Sequence, residues 1–336
     1  MKKRFRFTHQ TVDLYTDERF VVLNSITEAD RLVFITDENV YGAHEKKFKG
    51  RNTIVLKAGE EYKVQETVDA VIDQLIDMSV DRTYMLVGVG GGVITDITGY
   101  IASIYMRGIS FGFVPTSLLA LVDASIGGKN GVDVGIYKNM AGTINQPAFI
   151  LHDYHFLSTL PDKEWRNGFA EIIKHAAIKD AVMFRELESH NLKFYQKSRK
   201  DLSDLIRRNA LLKMKIVQQD EFENGDRKLL NFGHTIGHAL ENQYELSHGE
   251  AISIGMSYAV SLSEKWMQFK ESTRLRNLIE KYGLPTSAEF NKEKVLDLIK
   301  KDKKKAGDFI HFVLLDKIGR AGIKKLSFQQ TAEIFS

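Results

Sequence analysis

Three histidines stand close together late in the chain. His234 and His238 (GHTIGH) are four apart, so on a helix they share a face, and His248 follows in SHGE. Well upstream, Glu171 and Lys174 (AEIIK) are three apart and also share a helix face. One carboxylate with two of these imidazoles makes a three-point site for a zinc-type metal, with a fourth position left for water or substrate. Histidines packed in a core or scattered on a surface are the commoner case. Here the cluster takes three of the chain's 10 histidines and lies just behind the polar residues Lys213, Arg227 and Asn231, which favours metal binding. The HExxH pattern is absent, which argues against a zinc protease.

A second set of residues suits anions. Val87-Gly-Val-Gly90-Gly91-Gly92-Val93-Ile94-Thr95-Asp96 follows an apolar run and leads into a helical pattern. Glycine lets backbone amides approach a pyrophosphate closely, and a helix N-terminus favours negative charge. The spacing is not that of the standard dinucleotide fingerprint, so a nucleotide site and a tight turn stand as equal readings. Asp37, after another apolar run, suits either a ribose or a helix cap. Glu60 to Lys63 end the next run and suit the same crevice. Arg107, Thr116, Ser117, Asp123, Lys129 (in GGK), Lys138 and Asn139 punctuate an otherwise apolar region, where charges need partners or a ligand.

Positioning these groups requires an α/β scaffold. Short apolar runs at Leu32–Thr36, Thr53–Lys57, Tyr84–Gly88, Ser110–Val114 and Phe149–Asp153 alternate with helical patterns such as Val64–Met78, which predicts a parallel sheet. From Pro161 to about residue 305 nearly everything has helical periodicity, and Phe309–Leu315 with Ala321–Ser327 predicts a small hairpin. The expected division is an α/β domain over 1–159 and a mainly helical domain over 160–336. With 336 residues, 43% hydrophobic and 27% charged, the chain has an ordinary globular composition. A net charge of +3 is too even to imply a nucleic-acid partner by field alone. The absence of cysteine excludes disulfides, thiolate metal sites and a cysteine nucleophile, and fits a cytoplasmic setting. The basic N-terminus alternates like a strand rather than a signal peptide, and no membrane-length apolar run occurs. The run Lys300–Lys305 is the one dense charge block, and its plain reading is a solvated helix end.

GGGVITD, YMRG, VDASIGGK, KNMAGT, GFAEIIKH, DEFENGDRKLLNFGHTIGHALE and SHGEAISIGM run in an order that resembles the 3-dehydroquinate synthases, from about Asp37 to Gly319. The resemblance implies an N-terminal α/β domain binding NAD and a mostly helical domain carrying a divalent metal, zinc or cobalt. It implies Glu171, His234 and His248 as metal ligands, with His238 as a phosphate or proton-transfer group. Lys213, Arg227 and Asn231 would bind the carboxylate and hydroxyls of a sugar-acid phosphate. Lys129, Asn139 and one of Lys303 and Lys304 would contact its phosphate, and Asp123 and Lys174 would complete the pocket. Arg107 would reach across a homodimer interface. For NAD the matching positions are Asp37, Glu60 to Lys63, Gly90, Gly91, Gly92, Val93, Ile94, Thr95, Asp96, Thr116, Ser117, Lys129, Lys138, Phe156, Leu157, Ser158 and Thr159. Thr95, Ser117, Asn130 and Asp133 depart from the usual pattern.

The reaction so implied converts 3-deoxy-D-arabino-heptulosonate 7-phosphate to 3-dehydroquinate and phosphate, with NAD regenerated each turn. A sibling cyclase making an inosose or valiolone would not need the carboxylate-binding set. A metal-dependent polyol dehydrogenase would consume NAD and would not need the phosphate-binding cations. A catalytically inert anion-binding module would not keep every charged position.

Overall fold

The computed structural model describes all residues except Ile136, Asn242, 304–308 and 334–336, together with the backbone alone of 300–303. The chain forms two compact units, Met1–Trp165 with Ser203–Phe222, and Arg166–Leu202 with Glu223–Ser336. The chain therefore passes between them three times, whereas the sequence suggested one crossing near residue 160. The physical reason lies in one long helix, whose Ala210 and Met214 join the buried core of the first unit.

In the first unit, β1 (Lys2–Arg6) and β2 (Thr11–Thr16) form an antiparallel pair. β3 (Leu32–Asp37), β4 (Asn52–Leu56), β5 (Met85–Gly90), β6 (Ser110–Pro115), a separate hairpin of β7 (Lys129–Val134) and β8 (Tyr137–Ile144), and β9 (Phe149–His152) follow. The main sheet has the order β1-β2-β9-β6-β5-β3-β4, parallel from β2 onward. Both faces are covered. Val33 and Ile35 enter one core, and Leu32 and Phe34 enter the other, which is why β3 reads as an unbroken apolar run. α1 (Glu38–His44), α2 (Gln65–Asp77) and α3 (Gly92–Ile104) connect the strands. From β3 the chain steps outward to β4 and then returns to the other side of β3 as β5. That reversal places a topological switch point at the carboxyl ends of β3 and β5, the usual ligand position in open α/β sheets. Asp37 and the glycine turn lie at those two strand ends.

α4 (Asp162–Lys179) leads into the second unit, which holds α5 (Ala181–Ser189), α6 (Leu192–Lys197) and the first turn of α7 (Arg199–Gln219). α8 (His234–Glu241), α9 (His248–Met267), α10 (Ser272–Lys281), α11 (Lys292–Lys303), the hairpin β10 (Phe309–Lys317) with β11 (Arg320–Ser327), and α12 (Phe328–Ala332) complete it. Ile236, Leu240, Ile254 and Leu262 pack with Ile310, Phe312, Leu314 and Leu326, so the hairpin covers the helices. Among the described residues no helix is long and apolar enough to cross a membrane.

Candidate active site

Within the second unit, three side chains converge. Glu171 on α4 is fully buried; His234 opens α8 and His248 opens α9. One ligand atom from each lies within 4.8 Å of the other two. Glu171 Oε1 is 3.6 Å from His234 Nε2 and 3.2 Å from His248 Nε2. The opposite ring nitrogens are also held. His234 Nδ1 is 3.2 Å from the Phe232 carbonyl, and His248 Nδ1 is 3.5 Å from Glu241 Oε2. Such partners fix the tautomer that presents Nε2 to a metal. The donor set is oxygen and nitrogen without sulfur, which suits zinc or a similar divalent ion. Burial beside Lys174 lowers the His234 pKa well below the ordinary value. Burial also pulls His248 down, but Glu171 and Glu241 outweigh it and raise its pKa to about 10. Lys174 forms a buried ion pair with Glu171 one helical turn away.

Small residues bring the three helices together. A Cβ at Gly255 would lie 2.0 Å from the Gly233 carbonyl oxygen, and one at Gly249 would lie 2.6 Å from Asn167 Cα. The Gly249 amide donates to Asn167 Oδ1 at 3.0 Å, docking the start of α9 on α4. Glu250 then accepts from the Ser247 amide at 2.8 Å, capping that helix beside His248. Of the other expected residues here, the His238 ring stands 5.0 Å from that of His234. Arg227 is buried in the helical turn before α8, and Asn231 donates to Glu223 at 2.7 Å. Lys303 ends α11 with its side chain outside the description, and Lys304 lies outside the described residues.

Within the first unit, β5 ends at Gly90, Gly91 precedes the helix, and α3 starts at Gly92, with Val93, Ile94, Thr95 and Asp96 in its first turns. The Thr95 hydroxyl turns back to the Gly92 carbonyl at 2.9 Å. Thr116 donates its amide to the Gly90 carbonyl at 2.9 Å, and Ser117 Oγ accepts from Ala120. Asp37 caps α1 by accepting from the Val40 amide at 2.9 Å, the helix-cap alternative of the sequence. Lys63 is buried and reaches Asp96 at 2.5 Å and Asn139 at 2.6 Å, while Glu60 meets Lys138 at 3.3 Å. Burial alone would lower the Lys63 pKa, but the charges of Asp96 and Glu60 raise it, so this ammonium stays charged. Asp133 accepts from the Asn139 amide at 2.7 Å, and Asn130 closes the turn before it by donating to the Gly128 and Asn145 carbonyls. Lys213 meets Asp123 at 2.7 Å. Lys129 begins β7. Phe156, Leu157, Ser158 and Thr159 form a helical turn after β9, with Thr159 2.8 Å from His44. Arg107 is exposed in a left-handed turn (φ 65°).

Residues 53–167 match the family described as 3-dehydroquinate synthase N-terminal, and residues 168–305 match 3-dehydroquinate synthase C-terminal. The 3-dehydroquinate synthase of Nitrosospira multiformis is 40% identical over 87% of this chain and 84% of its own length. That of Pyrococcus abyssi is 43% identical over 81% of this chain and 80% of its own. The chain belongs to the 3-dehydroquinate synthase family. Its fold is also that of 2-epi-5-epi-valiolone synthase from Streptomyces hygroscopicus subsp. jinggangensis, solved with NAD+ and Zn2+ bound (TM-score 0.88, 27% identity, 99% of this chain and 97% of that one). A probable glycerol dehydrogenase from Sinorhizobium meliloti shares the fold alone, at TM-score 0.68 and 14% identity over 98% and 96% of the two chains.

Sequence reasoning missed Glu241, Asn167 and the packing glycines. The signal for Glu241 was present, since it lies three residues after His238 and seven after His234. Glu241→Gln keeps size and removes charge from the His248 Nδ1 partner. Outer-shell changes of this kind cost about 10–100-fold in metal affinity. Titration of metal-free protein with zinc by calorimetry should show a loss of that size with unchanged stoichiometry; unaltered affinity would remove Glu241 from the site.

Proposed function

We propose that Glu171, His234 and His248 hold the divalent metal, and the crevice at β3 and β5 the NAD, of an enzyme that converts 3-deoxy-D-arabino-heptulosonate 7-phosphate to 3-dehydroquinate and phosphate. The observation that supports it most is the succession of both family matches over 53–305, with the three ligands converging in the second. The metal, zinc or cobalt, supplies Lewis acidity toward substrate hydroxyls when bound. NAD supplies a hydride acceptor that is restored within the cycle. The chain's own residues position and neutralise. Lys174 balances the buried Glu171 carboxylate, Glu241 orients His248, and Lys63 holds Asp96 and Asn139 in fixed places. Lys129, Asn139, His238 and a lysine of the 303–304 pair serve the substrate phosphate. Lys213, Arg227 and Asn231 serve its carboxylate and hydroxyls, with Asp123 holding Lys213. Asp37, Glu60, the Gly90–Asp96 turn, Thr116, Ser117, Lys138 and Phe156 to Thr159 serve NAD. Positioning of this kind carries much of such a rate. The test is phosphate release from the heptulosonate phosphate with zinc and substoichiometric NAD. Many turnovers without NADH build-up are expected; NADH rising in step with product would mean a dehydrogenase.

Arg227 separates this reading from the sibling cyclases. A guanidinium grips a carboxylate with two parallel donors, which an ammonium cannot reproduce. A lost charge-assisted contact costs about 1.5–3 kcal/mol. Arg227→Lys should therefore raise the KM for the heptulosonate phosphate at least about tenfold, with slight effect on a seven-carbon sugar phosphate lacking the carboxylate. Equal losses on both would assign Arg227 to the phosphate or the fold.

We also read the enzyme as a cytoplasmic homodimer. Ile104, Met106, Val134, Tyr137, Met140 and Ile144 are exposed apolar side chains at the end of α3, in the turn bearing Arg107 and in the β7–β8 hairpin. Apolar surface of this kind marks interaction sites. Light scattering should give the mass of two chains, and a monomer at assay concentrations would refute it. The absence of cysteine accords with a reducing compartment, and export of the enzyme from the cytoplasm on fractionation would contradict it.

A further inference from the structure

On the first unit, an open cavity of about 500 Å3 is lined by Arg19, Lys46, Lys47, Lys49, Arg51 and His155, none of them assigned to NAD, metal or substrate, although Lys47 lies over the ring of Phe156, 4.7 Å from its centroid. The buried carboxylate beneath it, Asp153, is already engaged. It accepts from Lys47 at 3.0 Å, the Phe20 amide at 3.0 Å and His155 Nδ1 at 2.8 Å. Arg19 in turn donates to His155 Nε2, so His155 links the guanidinium to the carboxylate. Asp153 thus offsets one cation. Among the described residues no carboxylate lies within ion-pair distance of Arg19, Lys46, Lys49 or Arg51.

Arg51 is the most informative of these. Its guanidinium lies over the Phe20 and Phe34 rings, 5.5 and 5.2 Å from their centroids, and its Nη2 donates to Asn24 at 3.0 Å. Burial pulls its pKa down, with no opposing carboxylate to restore it. A partly desolvated cation with no carboxylate partner is unfavourable unless an anion completes it. The planar fork lies over two rings and is tethered to Asn24, and such forks match phosphate oxygens in pairs. The lysines add mobile point charges around the rim, suited to successive phosphates rather than to one.

We propose that this cavity binds the oligophosphate part of a small phosphorylated anion. The proposal uses none of the residues assigned to the reaction, and because Lys47 touches Phe156 the test is made with NAD present.

The probe is inorganic tripolyphosphate, titrated by calorimetry into protein saturated with NAD. One saturable site per chain is expected, at least about tenfold tighter than for orthophosphate. Lys46→Gln with Lys49→Gln, both exposed and so tolerated by the fold, should weaken it at least about tenfold. Arg51→Gln should weaken it similarly. Lys324→Gln with Lys325→Gln, an equal charge change on exposed positions of β11, should alter it less than about twofold. Absence of saturable binding, equal weakening by the two double variants, or loss of binding on NAD saturation would each overturn the proposal. The last would place the probe in the cofactor crevice.

Discussion

His248→Ala protein should purify without stoichiometric zinc and lose at least about 99% of its phosphate-releasing activity at micromolar metal. The size follows from the strength of protein–zinc sites. Apparent binding free energies of about 10–16 kcal/mol are shared among four ligands, or roughly 3 kcal/mol each. That is about 100-fold in affinity per ligand removed. The loss should exceed that for Glu241→Gln, which leaves all three ligand atoms in place. It should be partly reversed by millimolar zinc, because the other two ligands stand on separate helices that do not depend on the imidazole for their packing. Glu171 and His234 are set by α4 and α8, and the start of α9 is held by Ser247, Glu250 and Asn167. Circular dichroism of the variant should therefore match the parent. A His248→Ala protein that keeps one tightly held zinc would sink the assignment of the metal to this cluster.

What could be read beforehand followed from burial pattern. β3, β5, β6 and β9 are covered on both faces, so each spells a continuous apolar run. The β10–β11 hairpin announced itself by two apolar runs about a short turn, and the pairing from Phe309 with Ser327 to Lys317 with Arg320 follows that reading. β7 and β8 gave no such signal. KNGVDV and YKNMAGTI are rich in glycine and polar residues and stand outside the main sheet, with Val132 alone of the hairpin's residues counted among the buried apolar side chains of the first core. The return of 203–222 to the first unit was illegible for a similar reason. α7 is one uninterrupted helical pattern, and a pattern does not say which core receives its apolar face. At the site, residue types and spacing singled out Glu171 and the histidines, of which the structure brings Glu171, His234 and His248 together. They did not identify what aims them, because Glu241 and Asn167 look like ordinary helix residues, and the packing glycines look like turn residues.

Those glycines carry the second large expectation. Gly255 lies inside α9, where alanine is by propensity the better residue by about 0.5–1 kcal/mol. Its neighbours reverse the sign. The added Cβ would come 2.0 Å from the Gly233 carbonyl oxygen and 2.8 Å from the Gly237 amide nitrogen. Both are backbone atoms that cannot swing aside as a side chain would. α8 must then move off α9, disturbing the packing of Ile236 and Leu240 against Ile254. Overpacking a core typically costs about 1–3 kcal/mol, and a clash with backbone stands at or above the top of that range. Gly255→Ala should lower Tm by about 5–10 °C on the usual scaling of roughly 2–4 °C per kcal/mol. It should also weaken zinc binding, because His234 rides on the helix that is displaced while His248 rides on the helix that displaces it. Gly42→Ala supplies the contrast. It lies in α1 with no atom within 4 Å of the added Cβ, so the same change there should leave Tm unchanged or raise it slightly. A Gly255→Ala protein with parental Tm and parental zinc affinity would show that the close approach of α8 and α9 is not what sets the metal site.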